Sequence, residues 1–146
     1  MATIDYLAIE NSIKTLLEAD SDTSGYNIYV EPQENVRTDD CPLVQIYLDS
    51  WESPMDDELI GGANPIRTFL TITLWLYDFS LENLAGATNR DSMLANVKDV
   101  LKANRDLAGN VVIATFGGGQ FDNQKNNAGM GFFKGVSLQL VCEVRE

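Results

Sequence analysis

The order of apolar and polar residues divides the chain into helical and extended stretches. Over residues 4–19, Ile9, Ile13, Leu16 and Leu17 recur at the i, i+4, i+7, i+8 spacing of one helix face, with Glu10, Lys14 and Glu18 on the wet side. The run Asp20-Ser21-Asp22-Thr23-Ser24-Gly25 ends that helix, since glycine and small polar residues favour turns. Asn27–Val30 reads as a short strand stopped by Pro32, and 33–41 as a polar connection. Leu43–Trp51 alternates, with Val44, Ile46 and Leu48 on one face and Gln45, Tyr47 and Asp49 on the other, the period of a half-buried strand.

Residues 52–65 read as a long acidic loop. Ile66–Tyr77 is a long strand with Leu70, Ile72, Leu74 and Leu76 on one face. It spans roughly 40 Å at the usual rise per residue. Its other face, Phe69, Thr71, Thr73, Trp75 and Tyr77, is too aromatic for plain solvent surface. Ser80 can cap a second helical region from about Leu81, strongest over Arg90–Ala103, where Met93, Leu94, Val97, Val100 and Leu101 form the stripe. Val111–Phe116 is a strand, Gly117–Gly129 a Gly/Asn-rich loop, and Phe132–Val144 a last alternating strand. The order α-β-β-β-α-β-β predicts an α+β fold: a mostly antiparallel sheet with two helices packed on one face. With no internal repeat or dividing linker, 1–146 reads as a single domain.

Charge and composition narrow the chemistry. There are 146 residues, with 10 Lys+Arg, 22 Asp+Glu, no histidine and a net charge of −12. Without histidine there is no Ser-His-Asp or Cys-His catalysis, no imidazole ligation and no histidine switch. The acid excess argues against gripping nucleic acid through phosphates. Cys41 and Cys142 form no C-x-x-C pair and read as small buried apolar residues. The N-terminus lacks a basic start and apolar run, and no stretch approaches a membrane span, so a cytoplasmic product is expected.

Asp20 to Glu31 fits a calcium-loop pattern, with oxygen ligands at positions 1, 3 and 5, glycine at 6 and glutamate at 12. Against it, position 8 is Asn27, Pro32 hampers an exiting helix, and no second loop is present to pair with. A calcium-dependent binding module is therefore kept as the alternative function. Asp56, Asp57 and Glu58 are consecutive and cannot converge on one ion without a tight turn, so they read as a solvated loop or charged contact surface. Gly117-Gly118-Gly119 has neither a following helix nor Gly-Lys-Ser/Thr, and reads as a mobile hairpin tip instead of a phosphate cradle. Trp51, Trp75 and Tyr77 suit core or interface packing. No catalytic constellation, metal site or cofactor site stands out.

In this order the chain resembles the tail terminator proteins of long-tailed bacteriophages, the lambda-type family. The resemblance is carried by the helix around Ile9–Leu17, the strand entry Cys41-Pro42-Leu43-Val44-Gln45-Ile46-Tyr47-Leu48, the acidic loop with Asp57-Glu58-Leu59, the long strand Thr68–Tyr77, the helix through Met93–Leu101, and the Gly-containing loop leading to Met130–Val144. It covers nearly the whole length. The chain departs from the family in its absence of histidine and its glycine-rich loop. The resemblance implies a non-enzymatic virion protein of the tail or neck. It would assemble as a hexameric ring on the last ring of tail tube protein, stop tail polymerisation, and offer its upper surface to a neck or head-completion protein. DNA would pass through the ring without specific binding. The expected contact residues are Asp56, Asp57, Glu58, Gly118, Gln120, Asp122, Trp75 and Tyr77.

Overall fold

The structure, a computed structural model, describes residues 4–32, 38–53, 67–125 and 131–145. Helix α1 (Tyr6–Ala19) starts where the Asp5 side chain accepts a hydrogen bond from Ala8 N at 3.0 Å, satisfying one of the free amides of the first turn. At its other end the Thr23 hydroxyl donates to Leu17 O, occupying a carbonyl that the helix leaves open. Helix α2 (Asn83–Ala103) begins two residues later than the capping pattern placed it. Ser80 Oγ instead accepts from Glu82 N at 3.1 Å.

Among the described residues six strands form one sheet: β1 (Asn27–Val30), β2 (Leu43–Glu52), β3 (Arg67–Ser80), β4 (Ile113–Phe116), β5 (Phe121–Lys125) and β6 (Phe132–Arg145). Their lateral order is β1-β2-β3-β6-β4, with β5 beside the other half of β6. Only β1 and β2 run parallel; the remaining pairings are antiparallel. The fold is therefore α+β, with the element order read from the sequence and β5 added between the last two strands.

The alternation in the long strands decides what is covered. Leu70, Ile72, Leu74 and Leu76 of β3 stand opposite Cys142, Leu140, Leu138 and Val136 of β6. With Val44 and Ile46 they meet Ile9, Ile13 and Leu17 from α1, and Met93, Val97, Val100 and Leu101 from α2, in one core. Gly86 lets α2 approach β6 closely, since a Cβ there would lie 3.1 Å from Lys134 Cγ. Both helices thus pack on one sheet face, and the other face carries no helix among the described elements.

Two expectations need correction. Glu10 does not lie on the wet side of α1; it is 1% exposed. The stretch after Gly117 is not a hairpin tip throughout, because 121–125 is strand β5.

Candidate functional site

The helix-free sheet face is shaped by two interruptions of strand pairing. In the first, Leu48 pairs with Ile72 but Ser50 pairs with Thr71, so Asp49 is an extra residue in β2. Such a bulge reverses the alternation beyond it. Trp51 consequently stands opposite Leu70, on the helix side, and is 62% exposed.

The second interruption lies on the far edge. Phe116 pairs with Leu140 and Phe121 with Val136, so the edge spends one residue more than β6 between these two pairs. Pairing nevertheless continues across the gap: Gly117 N donates to Gln139 O at 2.8 Å, Gln139 N to Gly118 O at 3.0 Å, and Ser137 N to Gln120 O at 2.7 Å. Gly119 lies so close to β6 that a Cβ on it would sit 1.8 Å from Ser137 O. Only glycine fits such an approach. The extra residue turns Asp122 onto the helix-free face, opposite Gly135 and beside Tyr77. It turns Phe121 to the helix side, where the Arg90 guanidinium lies 4.9 Å from the ring centroid.

Between the bulges lies an open trough of about 490 Å³. Its floor is Tyr47, Thr73, Trp75, Ser137 and Gln139; its ends are Asp49 and the Gly118-Gly119-Gln120 segment. Trp75 stacks on Tyr77 with ring centroids 6.0 Å apart. Tyr77 covers Gly135, where a Cβ would meet the ring at 2.5 Å, and its hydroxyl donates to Asp122 Oδ2 at 3.3 Å. Burial and the Asp122 charge push the Tyr77 phenol up to about 12, so it stays a neutral donor. Asp49 is exposed and accepts a 3.4 Å bond from Thr73 Oγ1.

The structure brings Trp75, Gly118 and Gln120 together in the trough, with Tyr77 and Asp122 at its rim. Asp56, Asp57 and Glu58 lie outside the described residues. Sequence reasoning missed Tyr47, Asp49, Ser137 and Gln139. The signal for the edge was the glycine triplet itself, read as a loop tip although it joins two strands along one neighbour. For β2 it was the polar pair Asp49-Ser50 ahead of Trp51 in an otherwise alternating run. Chemically the trough offers hydroxyls, two amides, a carboxylate and an indole face, with Asp49 and Gln120 exposed at its ends and Ser137 buried in its floor. It suits recognition of a polar surface.

The calcium-loop candidate is used otherwise. Asp20 Oδ1 accepts from Asp22 N at 2.9 Å within a tight turn. Glu31 follows β1 directly, with its Oε1 accepting from Leu48 N at 2.8 Å. Among the described residues no group of three or more Asp, Glu or Cys side chains is placed to hold a metal ion. Thermal melts in calcium and in EDTA should therefore coincide; a calcium-dependent rise lost in the Asp20→Ala, Glu31→Ala double variant would restore that site.

Glu31 has a second neighbour, the buried Glu10. Glu10 Oε2 has no hydrogen-bond partner. Burial, then a hydrogen bond and charge repulsion from Glu31, push the Glu10 carboxyl up to about 8. Glu10 is thus held as a neutral acid beside Glu31 at physiological pH. Neither cysteine is in a disulfide; Cys142 lies in the core and Cys41 is half-buried. Burial raises both to about 12, which keeps them from acting as thiolate nucleophiles at neutral pH.

No protein-family model matches the chain, and no curated protein matches it. Among solved structures, a chain from the virion of a native gene transfer agent particle is similar over 94% of both chains, with a TM-score of 0.45 and 9% sequence identity.

Proposed function

We propose that this protein is a structural virion component that closes into a hexameric ring, caps the tail tube and joins it to the neck or head around the DNA channel. The observation that carries this reading is the helix-free sheet face. Tyr47, Trp75, Tyr77, Phe79 and Phe133 stand partly buried on it with no helix above them, and we read this aromatic row as a contact surface. The feature order of the sequence, set beside the tail terminator proteins it resembles, supplies the kind of partner.

A head-to-tail contact joins two different surfaces of each copy, and makes a ring when the rotation between neighbours closes. This domain has them: an aromatic sheet face on one side and helices with charged outer residues on the other. Capping needs a second asymmetry along the ring axis: a ring that meets the tube end on one rim and presents a different surface on the other cannot be extended. A net charge of −12 gives DNA no counterion-release hold, as a conduit requires. Residues 117–129 and the acidic 52–65 stretch are the contact regions in this reading.

Trp75→Glu tests it. Trp75 lies partly buried on the helix-free face, outside the core under the helices, so the monomer should keep its fold by circular dichroism while the ring is lost on size exclusion. A variant that assembles as well as the wild type would contradict the assignment of this face.

A further inference from the structure

We propose that the outer stripe of α2 from one copy lies along the helix-free sheet face of the next, with Leu84 on the Phe79–Phe133 ring pair and Lys98 beside the Asp49 carboxylate. This rests on reading the helix-free face as the contact between copies. It adds the second surface which that face meets, and the direction in which the two dock.

Helix geometry picks out the stripe. The inward side of α2 is Gly86, Met93, Val97, Val100 and Leu101. Leu84, Asp91, Ala95, Lys98 and Lys102 fall on the opposite side at the sevens, fours and threes of one helix face, and all five are exposed. Leu84, at 79% exposure, is the most open large apolar side chain among the described residues. Lys98 and Lys102 stand out by charge. Among the described residues neither has a carboxylate partner, whereas Lys14 pairs with Glu18, Arg90 with Asp91 and Arg145 with Glu143. In a chain of net charge −12 they form a local basic patch.

The two surfaces match in length and charge. On β3 the helix-free side runs from Phe79 through Tyr77 and Trp75 to Thr73. Phe79 packs on Phe133 with ring centroids 5.2 Å apart, and Thr73 donates to the exposed Asp49 at 3.4 Å. From Phe79 to Thr73 is about 20 Å at the strand rise. From Leu84 to Lys98 is about 21 Å at the helical rise. One alignment therefore sets the leucine on the aromatic pair and the lysine at the carboxylate. The reversed direction would set Leu84 against Asp49. The remaining charges agree. Asp91 comes between Tyr77 and Trp75, near Asp122, but already holds the Arg90 guanidinium at 3.1 Å. Arg67 and Arg145, on the same sheet face, lie about 20 Å beyond Thr73. Complementary charge of this kind fixes register across an interface.

Charge exchange tests the pairing, read as the protein concentration at half assembly by native mass measurement. Lys98→Glu and Asp49→Lys should each raise it roughly tenfold, with the fold unchanged by circular dichroism, and the double variant should return close to wild type. Asp49→Asn, which keeps the side chain's size, should give a smaller loss of the same sign. The signs separate pairing from bulk repulsion: Asp49→Lys lowers the net negative charge, and would strengthen assembly if overall repulsion governed it. Assembly unchanged or strengthened in either single variant, or no recovery in the double, would overturn this docking and leave the ring. Recovery in an assembly of other than six copies supports the docking and removes the hexamer. A wild type that never assembles overturns both.

Discussion

Gly119→Ala should lower stability by about 2–3 kcal/mol, the scale of overpacking a tight site, and so lower Tm by roughly 6–10 °C. The neighbouring Gly118→Ala should leave Tm unchanged or slightly raised. The contrast comes from geometry. A Cβ on Gly119 would lie 1.8 Å from Ser137 O, a backbone atom that cannot swing aside, whereas nothing lies within 4 Å of one on Gly118. To admit the methyl, the edge must release part of its pairing with β6, including the Ser137 N to Gln120 O bond of 2.7 Å. That also moves Gln120 and Asp122, so Trp75 emission should change in Gly119→Ala and not in Gly118→Ala. Equal melting temperatures for the two variants would show that the glycine segment is a free loop. The check is a pair of thermal melts with intrinsic fluorescence.

Glu10→Gln should raise stability at pH 8 by about 1–3 kcal/mol, the usual cost of a buried group left without its partner, or roughly 3–9 °C in Tm. In the wild type the folded state holds the Glu10 proton up to about pH 8, whereas the unfolded chain releases it near the ordinary value of 4.5. The stability this residue contributes is therefore complete below about pH 4.5 and lost as pH rises toward 8, after which the loss is constant. Glutamine does not titrate, and its amide can donate to the Glu31 carboxylate as the neutral acid does. The gain should accordingly shrink toward zero near pH 4. Melts of both proteins across that range test this; a gain that does not vary with pH would show that Glu10 is charged in the fold. Glu31→Gln should help less, because Glu31 also holds Leu48 N at 2.8 Å.

Much of this architecture was legible because strand and helix periods are simple. Leu70, Ile72, Leu74 and Leu76 could only share one face, and the structure buries all of them under the helices. Of the stripe Met93, Leu94, Val97, Val100 and Leu101, all but Leu94 are buried as the spacing implied, and Leu94 packs partly buried against the core. What escaped was every place where the count slips by one. A regular alternation puts Trp51 with Tyr47, but the extra residue at Asp49 sends it to the opposite face. A glycine triplet reads as a loop, yet its bare backbone is what lets it lie along β6 and turn Asp122 beside Tyr77. Glu10 escaped for another reason. Its burial depends on where α1 meets Glu31 at the end of β1, and no local pattern records that contact. The trough was therefore half visible: its aromatic floor showed in the sequence, while the bulges that give it ends did not.

The most direct measurement on the central claim is the native mass of the purified wild-type protein over a range of concentration and salt, with particle images of the same sample. The account predicts a closed ring, six copies of the 146-residue chain, lost in Trp75→Glu without loss of the monomer's fold. A protein that stays monomeric at every concentration and salt, with Trp75 and Tyr77 permanently open to solvent, would contradict it.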